Sequence, residues 1–307
     1  MRALAATLLF LASLTAFGAD SAFNGRWDIT VRNEPRRRAW WLEVEGAGTG
    51  GIHGRFVGFP GGNMDPIQKI WIDQGVLKFT FENREGVHQE YTARLAGAKL
   101  EGVMKQDGTE RLWTGVRAPE ISDRDGPSWR EGKPVELFDG KTMHGWHGQV
   151  PGKDLGWTVT GGALASTGHA NNLESDAGFW NFKLHLEYRV GLKSNSGVGL
   201  RGRYEVQILE DFGEAPGLHQ NGALYSRIAP RVNASKPAGE WQAYDIRLVG
   251  RQVTVVLNDK KVIDKQEIEG LTAIAGDADE SKPGPIILQG DHGPVEFRNI
   301  VLTPLIK

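Results

Sequence analysis

With 36 Lys plus Arg against 38 Asp plus Glu in 307 residues, the chain carries a formal charge of -2. That balance offers no basic field for nucleic acid or an anionic membrane. The absence of Cys removes disulfides, thiolate metal sites and cysteine nucleophiles, while 41 Gly and 10 Trp point to a turn-rich folded chain. The first 19 residues predict a secretory leader: Arg2, then an apolar stretch from Leu4 to Phe17, then small residues at Gly18 and Ala19. The stretch is too short for a comfortable membrane span. Its removal takes away Arg2 and leaves a charge of -3. No later stretch approaches about 18 apolar residues, so a soluble periplasmic or secreted protein is expected.

The rest reads as strands. Trp27, Ile29 and Val31 alternate with polar residues, as do Leu77, Phe79 and Phe81. Lys183 to Val190 is the cleanest alternation in the chain. Gln252 to Leu257, then Asn258-Asp259, then Lys261 to Ile263 predicts a hairpin. Glu296 to Leu302 closes the series. Turn residues recur every 8 to 12 positions or so, the spacing of barrels and sandwiches. The polar, two-proline segment 118–133 predicts a docked linker, with Trp129 as its pin. It separates a small domain over 20–117 from a larger one over 134–307.

The first domain opens on Asn24-Gly25-Arg26-Trp27, whose Gly-x-Trp resembles the first strand of lipocalin-like barrels. Arg36-Arg37-Arg38 before Trp40-Trp41 fits an edge strand guarded by charge better than a sugar contact. The Gly-rich stretches 46–51 and 58–62 lack the Gly-Lys-Ser/Thr of a phosphate loop. An accessory small β-barrel is expected.

The second domain carries Glu136-Leu137-Phe138-Asp139-Gly140, then Asn195-Ser196-Gly197-Val198-Gly199-Leu200-Arg201 and Tyr204-Glu205-Val206-Gln207-Ile208-Leu209. Gly222-Ala223-Leu224-Tyr225, Gly284-Pro285-Ile286-Ile287-Leu288-Gln289 and Asp291-His292-Gly293 follow. In order and spacing these resemble the bacterial 3-keto-disaccharide (3-keto-glycoside) hydrolase family. The resemblance implies a concanavalin A-like jelly-roll β-sandwich, so the whole chain is expected to be all-β. Two positions depart from the family pattern: Glu210 stands where Asp is usual, and Asn221 where Thr is usual.

Strand parity puts Glu205 and Gln207 on one face and Tyr204, Val206 and Ile208 on the other. The same rule groups Asn195, Gly197, Gly199 and Arg201, with the glycines clearing room for a ligand. The expected site is a groove with Glu205, His292 and Arg201 as catalytic candidates. Asn195, Gln207, His219, Tyr225, Lys236 and Gln289 are the substrate-binding candidates. Opening a 3-keto-glycoside requires a base for the C2 proton, which Glu205 or His292 supplies. It also requires a partner for the C3 oxyanion, drawn from Arg201, Lys236 and His219. A divalent metal could share that second task; no cofactor and no metal ligand is assigned, and His144 with His147 lacks a third ligand nearby. Trp241 reads as a core anchor, as does Trp27.

Two other functions fit the pattern. A retaining glycosidase would pair Glu205 with Glu210, which needs a β-bulge between them. A non-catalytic carbohydrate-binding module needs no carboxylate pair at all.

Overall fold

The computed structural model describes residues 20–34, 38–58, 62–82 and 86–307. The predicted leader, Arg36, Arg37 and the middle of the 58–62 stretch lie outside them. Contacts divide the chain into two compact units, one ending at Ala118 and the other running from Pro119. Among the described residues no helix is long and apolar enough to cross a membrane.

The first unit is a meander of nine strands: β1 (Gly25–Val31), β2 (Trp40–Glu45), β3 (His53–Val57), β4 (Asp65–Pro66), β5 (Lys69–Asp73), β6 (Val76–Glu82), β7 (His88–Ala96), β8 (Lys99–Gln106) and β9 (Thr109–Arg117). Each pairs with its neighbour in sequence except β4 with β5, and β9 returns to pair with β1. The sheet curls into the expected small barrel, its ring of ladders open between the edge strands β4 and β5. Alternate residues point inward and bury Trp27, Leu42, Phe79, Tyr91 and Trp113. Phe79 stacks on Tyr91 with ring centroids 4.4 Å apart. Gly102 is required by this packing, because a Cβ there would fall 2.2 Å from the Trp113 ring.

The second unit begins with β10 (Arg130–Glu131), β11 (Val135–Glu136), β12 (Trp146–Gly148), β13 (Trp157–Thr160), β14 (Ala163–Ser166) and β15 (Leu173–Ser175). It continues with β16 (Phe182–Val190), β17 (Asn195–Leu200), β18 (Tyr204–Leu209), β19 (Gln242–Val249), β20 (Gln252–Leu257), β21 (Lys260–Glu267), β22 (Ile287–Leu288) and β23 (Val295–Ile306). Two antiparallel sheets form. One has the order β13-β14-β23-β16-β19-β20-β21, with β10 and β11 added on β23; the other runs β12-β15-β22-β17-β18. This is the jelly-roll sandwich anticipated above. Between the sheets lie Leu184, Leu186 and Tyr188 of β16, Val198 of β17, Val206 and Ile208 of β18, and Ile246 and Leu248 of β19. The hairpin from β20 to β21 turns through Asn258 and Asp259, both at positive φ, as the type I′ geometry demands.

Segment 119–133 is held against the second unit mainly by two aspartates. Asp123 accepts bonds from Trp180 Nε1, Asn181 Nδ2 and Lys307 Nζ. Burial raises its pKa, but these three donors outweigh burial and leave it below the usual value. Asp125 accepts from Arg247. Trp129 plays a smaller part, with Nε1 donating to Arg124 O within the segment.

Trp241 is a correction. It is not in the core but on the outer face of the larger sheet, between the guanidinium groups of Arg298 (3.9 Å) and Arg189 (4.9 Å). Parity explains the placement: Arg189 lies between Tyr188 and Val190, both of which face inward.

Candidate active site

The five-stranded sheet turns its apolar residues inward and a polar floor outward. Register fixes the floor row by row. One row runs His147, Glu174, Ile287, Gly199, Glu205 across β12, β15, β22, β17 and β18. Tyr225 extends it, because its N–H donates to Glu205 O at 2.9 Å while its neighbour Leu224 bridges to Val206. The next row on this face holds Asn172, Gln289, Gly197 and Gln207, with Gln149 beyond Asn172. Glu205, Gln207 and Glu174 point away from the sandwich core, yet they are only 3%, 1% and 6% exposed. The floor is therefore recessed.

Gly197 makes room for the carboxylate. A Cβ at this position would fall 2.4 Å from Glu205 Oε1. The Glu205 side chain thus leans sideways over the bare backbone of β17. Its own N–H donates to Thr272 Oγ1, which anchors the residue from the other side. Around it the floor is mostly neutral amide. Gln149 Nε2 donates to Glu174 Oε1 at 3.1 Å, and Asn172 Nδ2 donates to Gln149 Oε1 at 3.1 Å. Gln207 Nε2 reaches Asn195 Oδ1 at 3.4 Å. The oxygens Gln207 Oε1 and Gln289 Oε1 accept no hydrogen bond among the described residues. Buried amide oxygens in that state are costly.

Seven of the nine sequence candidates gather here: Asn195, Glu205, Gln207, His219, Tyr225, Gln289 and His292. His219 lies against Tyr225 with ring centroids 4.9 Å apart, in the loop that borders β18. His292 is at the far end of the floor. Its carbonyl accepts from Asn195 N, and its Nδ1 meets Asp291 Oδ1 at 2.7 Å.

Arg201 and Lys236 are corrections. Arg201 follows the end of β17 and has φ 53°, so strand alternation no longer governs it. Its side chain is fully buried against Trp180, donating from Nε to Trp180 O (2.5 Å) and from Nη2 to Asn181 Oδ1 (2.9 Å). Burial pushes its pKa down to about 10. It is a structural cation, not a groove residue. Lys236 sits at the entry to β19, in the other sheet, with Nζ held by Trp241 O at 3.0 Å.

Both departures from the family pattern are structural. Asn221 ties the sheets together: its Oδ1 accepts from Tyr188 OH and Tyr244 OH at 2.9 Å each, and its Nδ2 donates to Ser235 Oγ. Glu210 follows β18, with Oε2 accepting from Lys193 N. The β17–β18 ladder runs without a register shift. No bulge brings Glu210 round to Glu205, so the retaining pair is not formed.

Sequence reasoning missed Glu174, Gln149 and Asn172, and set His147 aside. His147 Nδ1 lies 2.7 Å from Asp176 Oδ1 and its Nε2 lies 3.5 Å from Glu174 Oε2. The signal was present in Asn172-Leu173-Glu174, where polar residues flank an inward leucine. The pairing of β12 with β15 was not readable. Among the described residues no group of three or more His, Asp or Glu side chains is arranged to hold a metal ion. His147 meets its two carboxylates through opposite ring nitrogens, so the three do not converge on one point.

Residues 133–303 match the family model described as the 3-keto-alpha-glucoside-1,2-lyase-like domain. A curated relative from Bacteroides thetaiotaomicron, 3-keto-disaccharide hydrolase, is 26% identical over 169 residues, or 42% of this chain. The chain spans 57% of that relative's length. A solved structure from Parabacteroides distasonis, described as a candidate glycosyl hydrolase, is 27% identical with a TM-score of 0.50. The alignment covers 60% of this chain and 93% of that one. A second structure from the same organism is 24% identical with a TM-score of 0.46, covering 56% and 100%. The expectation of a glycoside-hydrolase-type enzyme agrees with the family match, the curated relative and the first of these structures. The matched span covers more than half of the chain and includes every floor residue from His147 to His292. The chain belongs to the 3-keto-alpha-glucoside-1,2-lyase-like domain family.

Proposed function

We propose that this protein hydrolyses 3-keto-glycosides, 3-keto-disaccharides among them, by elimination followed by hydration. The observation that carries this reading is the Glu205 carboxylate, recessed over Gly197 on a floor of neutral amides. Such a floor suits an uncharged sugar, and the recessed Glu205 carboxylate suits a general base. The C3 ketone acidifies the C2 proton. Glu205 takes that proton, and the electron pair forms an enolate at C3. His219, in the loop beside Glu205, supplies the contact to the enolate oxygen. The enolate re-forms the ketone as the C1 substituent departs, leaving a C1–C2 alkene. Water then adds at C1, and Glu205 returns its proton to C2. The leader expected from the first 19 residues supports placing this reaction in the periplasm or outside the cell.

The test is incubation with a 3-keto-disaccharide and with its unoxidised parent, each with and without a chelator, followed by product analysis. Cleavage of the oxidised substrate alone is the expected result. Cleavage of the parent would favour an ordinary glycosidase, and calorimetric binding without product would favour a binding module. The chelator arm reads any metal dependence directly.

Gly197→Ala tests the slot. The new methyl collides with the end of a flexible side chain, so Glu205 moves while the sheet stays. Misplacing a base by about 1 Å lowers turnover roughly 100-fold. Thermal unfolding of the same variant should remain close to wild type. Unchanged turnover would separate Glu205 from the chemistry.

A further inference from the structure

Resting on this reading, we infer that His147 donates the proton to the departing oxygen, with Glu174 and Asp176 as its positioning residues. The leaving group of an elimination departs as an alkoxide unless a proton reaches it. In this scheme Glu205 takes a proton from C2 and protonates C2 again in the hydration step, so a separate group serves the leaving oxygen. A second proton carrier is needed on the other side of the C1–C2 bond.

The floor provides one. The Glu205 carboxylate lies over β17, and Glu174 stands on β15 in the same row, with only β22 between those strands. Two inter-strand spacings amount to about 10 Å. One sugar ring with a contact on each side spans that distance, over the stretch where the buried Ile287 covers Gly199. His147 Nε2 reaches the Glu174 end at 3.5 Å. Its Nδ1 faces Asp176 at 2.7 Å. The shorter contact, 2.7 Å, assigns Nδ1 to Asp176, and the longer one, 3.5 Å to Glu174, leaves Nε2 as the nitrogen assigned to the departing oxygen. Gln149 orients Glu174 in turn, and Asn172 orients Gln149.

A second observation lies in the next row of the same face. Gln207, 1% exposed, and Gln289 both present amide oxygens to the same floor without a donor among the described residues.

The proton balance closes. The C1–O bond breaks with its electron pair going to oxygen, and that oxygen takes the Nε2 proton and leaves as an alcohol. In the hydration step water adds at C1 and gives one proton back to Nε2. The net change is one water consumed, with His147 and Glu205 restored.

The test compares two 3-keto-glucosides on purified full-length protein. One carries 4-nitrophenoxide, which departs without help; the other carries methoxide, which needs a proton. His147→Gln is expected to raise the ratio of kcat/KM for the nitrophenyl over the methyl substrate by about 100-fold or more, the usual scale of lost acid catalysis. Asp176→Asn, at an exposed position, should shift the ratio the same way by a smaller factor and serves if His147→Gln folds poorly. An unchanged ratio overturns the inference, whether both rates fall together or neither moves. If wild-type protein turns over neither substrate, the hydrolase reading fails as well. If wild type is active and the ratio is flat, only the role of His147 fails.

Discussion

Glu205→Gln is expected to lower kcat on a 3-keto-disaccharide by about 100- to 10,000-fold, the range typical of removing a positioned base. The amide keeps the shape of the side chain and still fits over Gly197, but it cannot take the C2 proton. A second readout isolates the step. In deuterated water the wild type should place deuterium at C2 of recovered substrate or product, and Glu205→Gln should slow that exchange in parallel with turnover. Deuterium exchange at the wild-type rate in this variant would move the base elsewhere, with His292 the next candidate. Circular dichroism controls for folding, and little change is expected because the substitution removes no core contact.

Glu280→Ala is expected to destabilise the second unit by about 3–5 kcal/mol, the cost of breaking a buried ion pair by removing one partner. Glu280 is fully buried. Its carboxylate accepts from Arg251 Nη2 at 2.8 Å and from Tyr204 OH at 2.5 Å. Without it, the nearly buried Arg251 loses its carboxylate and the Tyr204 hydroxyl loses its acceptor. Glu280→Gln keeps an acceptor oxygen for Tyr204 and should lose less. Urea unfolding followed by circular dichroism measures both. A Glu280→Ala variant within about 0.5 kcal/mol of wild type would show that the pair contributes little to the folded state. Tyr204 precedes Glu205 on β18, so part of this loss is expected to reach activity as well.

These two residues differ in how far the sequence exposes them. Glu205 was legible because it sits inside a regular strand, Tyr204 to Leu209, where a period of two sorts floor from core. The same rule placed Gln207 and Asn195. It failed two residues past Gly199, at Arg201, where positive φ turns the chain and sends the side chain to Trp180. It also misjudged Trp241, because arginines on β16 and β23 give an aromatic ring a place outside the core. Glu280, in a stretch without regular alternation, carried no local signal at all.

By itself, the sequence determined the all-β class, the strands that alternate, the hairpin at Asn258-Asp259 and the face on which Glu205 lies. These follow from local rules: side-chain parity along a strand, turn residues that accept positive φ, and apolar runs. Tertiary structure alone decided which strands became neighbours. Only the pairing of β12 with β15, β15 with β22, β22 with β17 and β17 with β18 sets His147 and Glu174 in one row with Glu205. Those residues stand 27 to 58 positions apart in the chain. A ladder between distant segments is chosen by the fit of the whole core, and no short window of sequence records that choice.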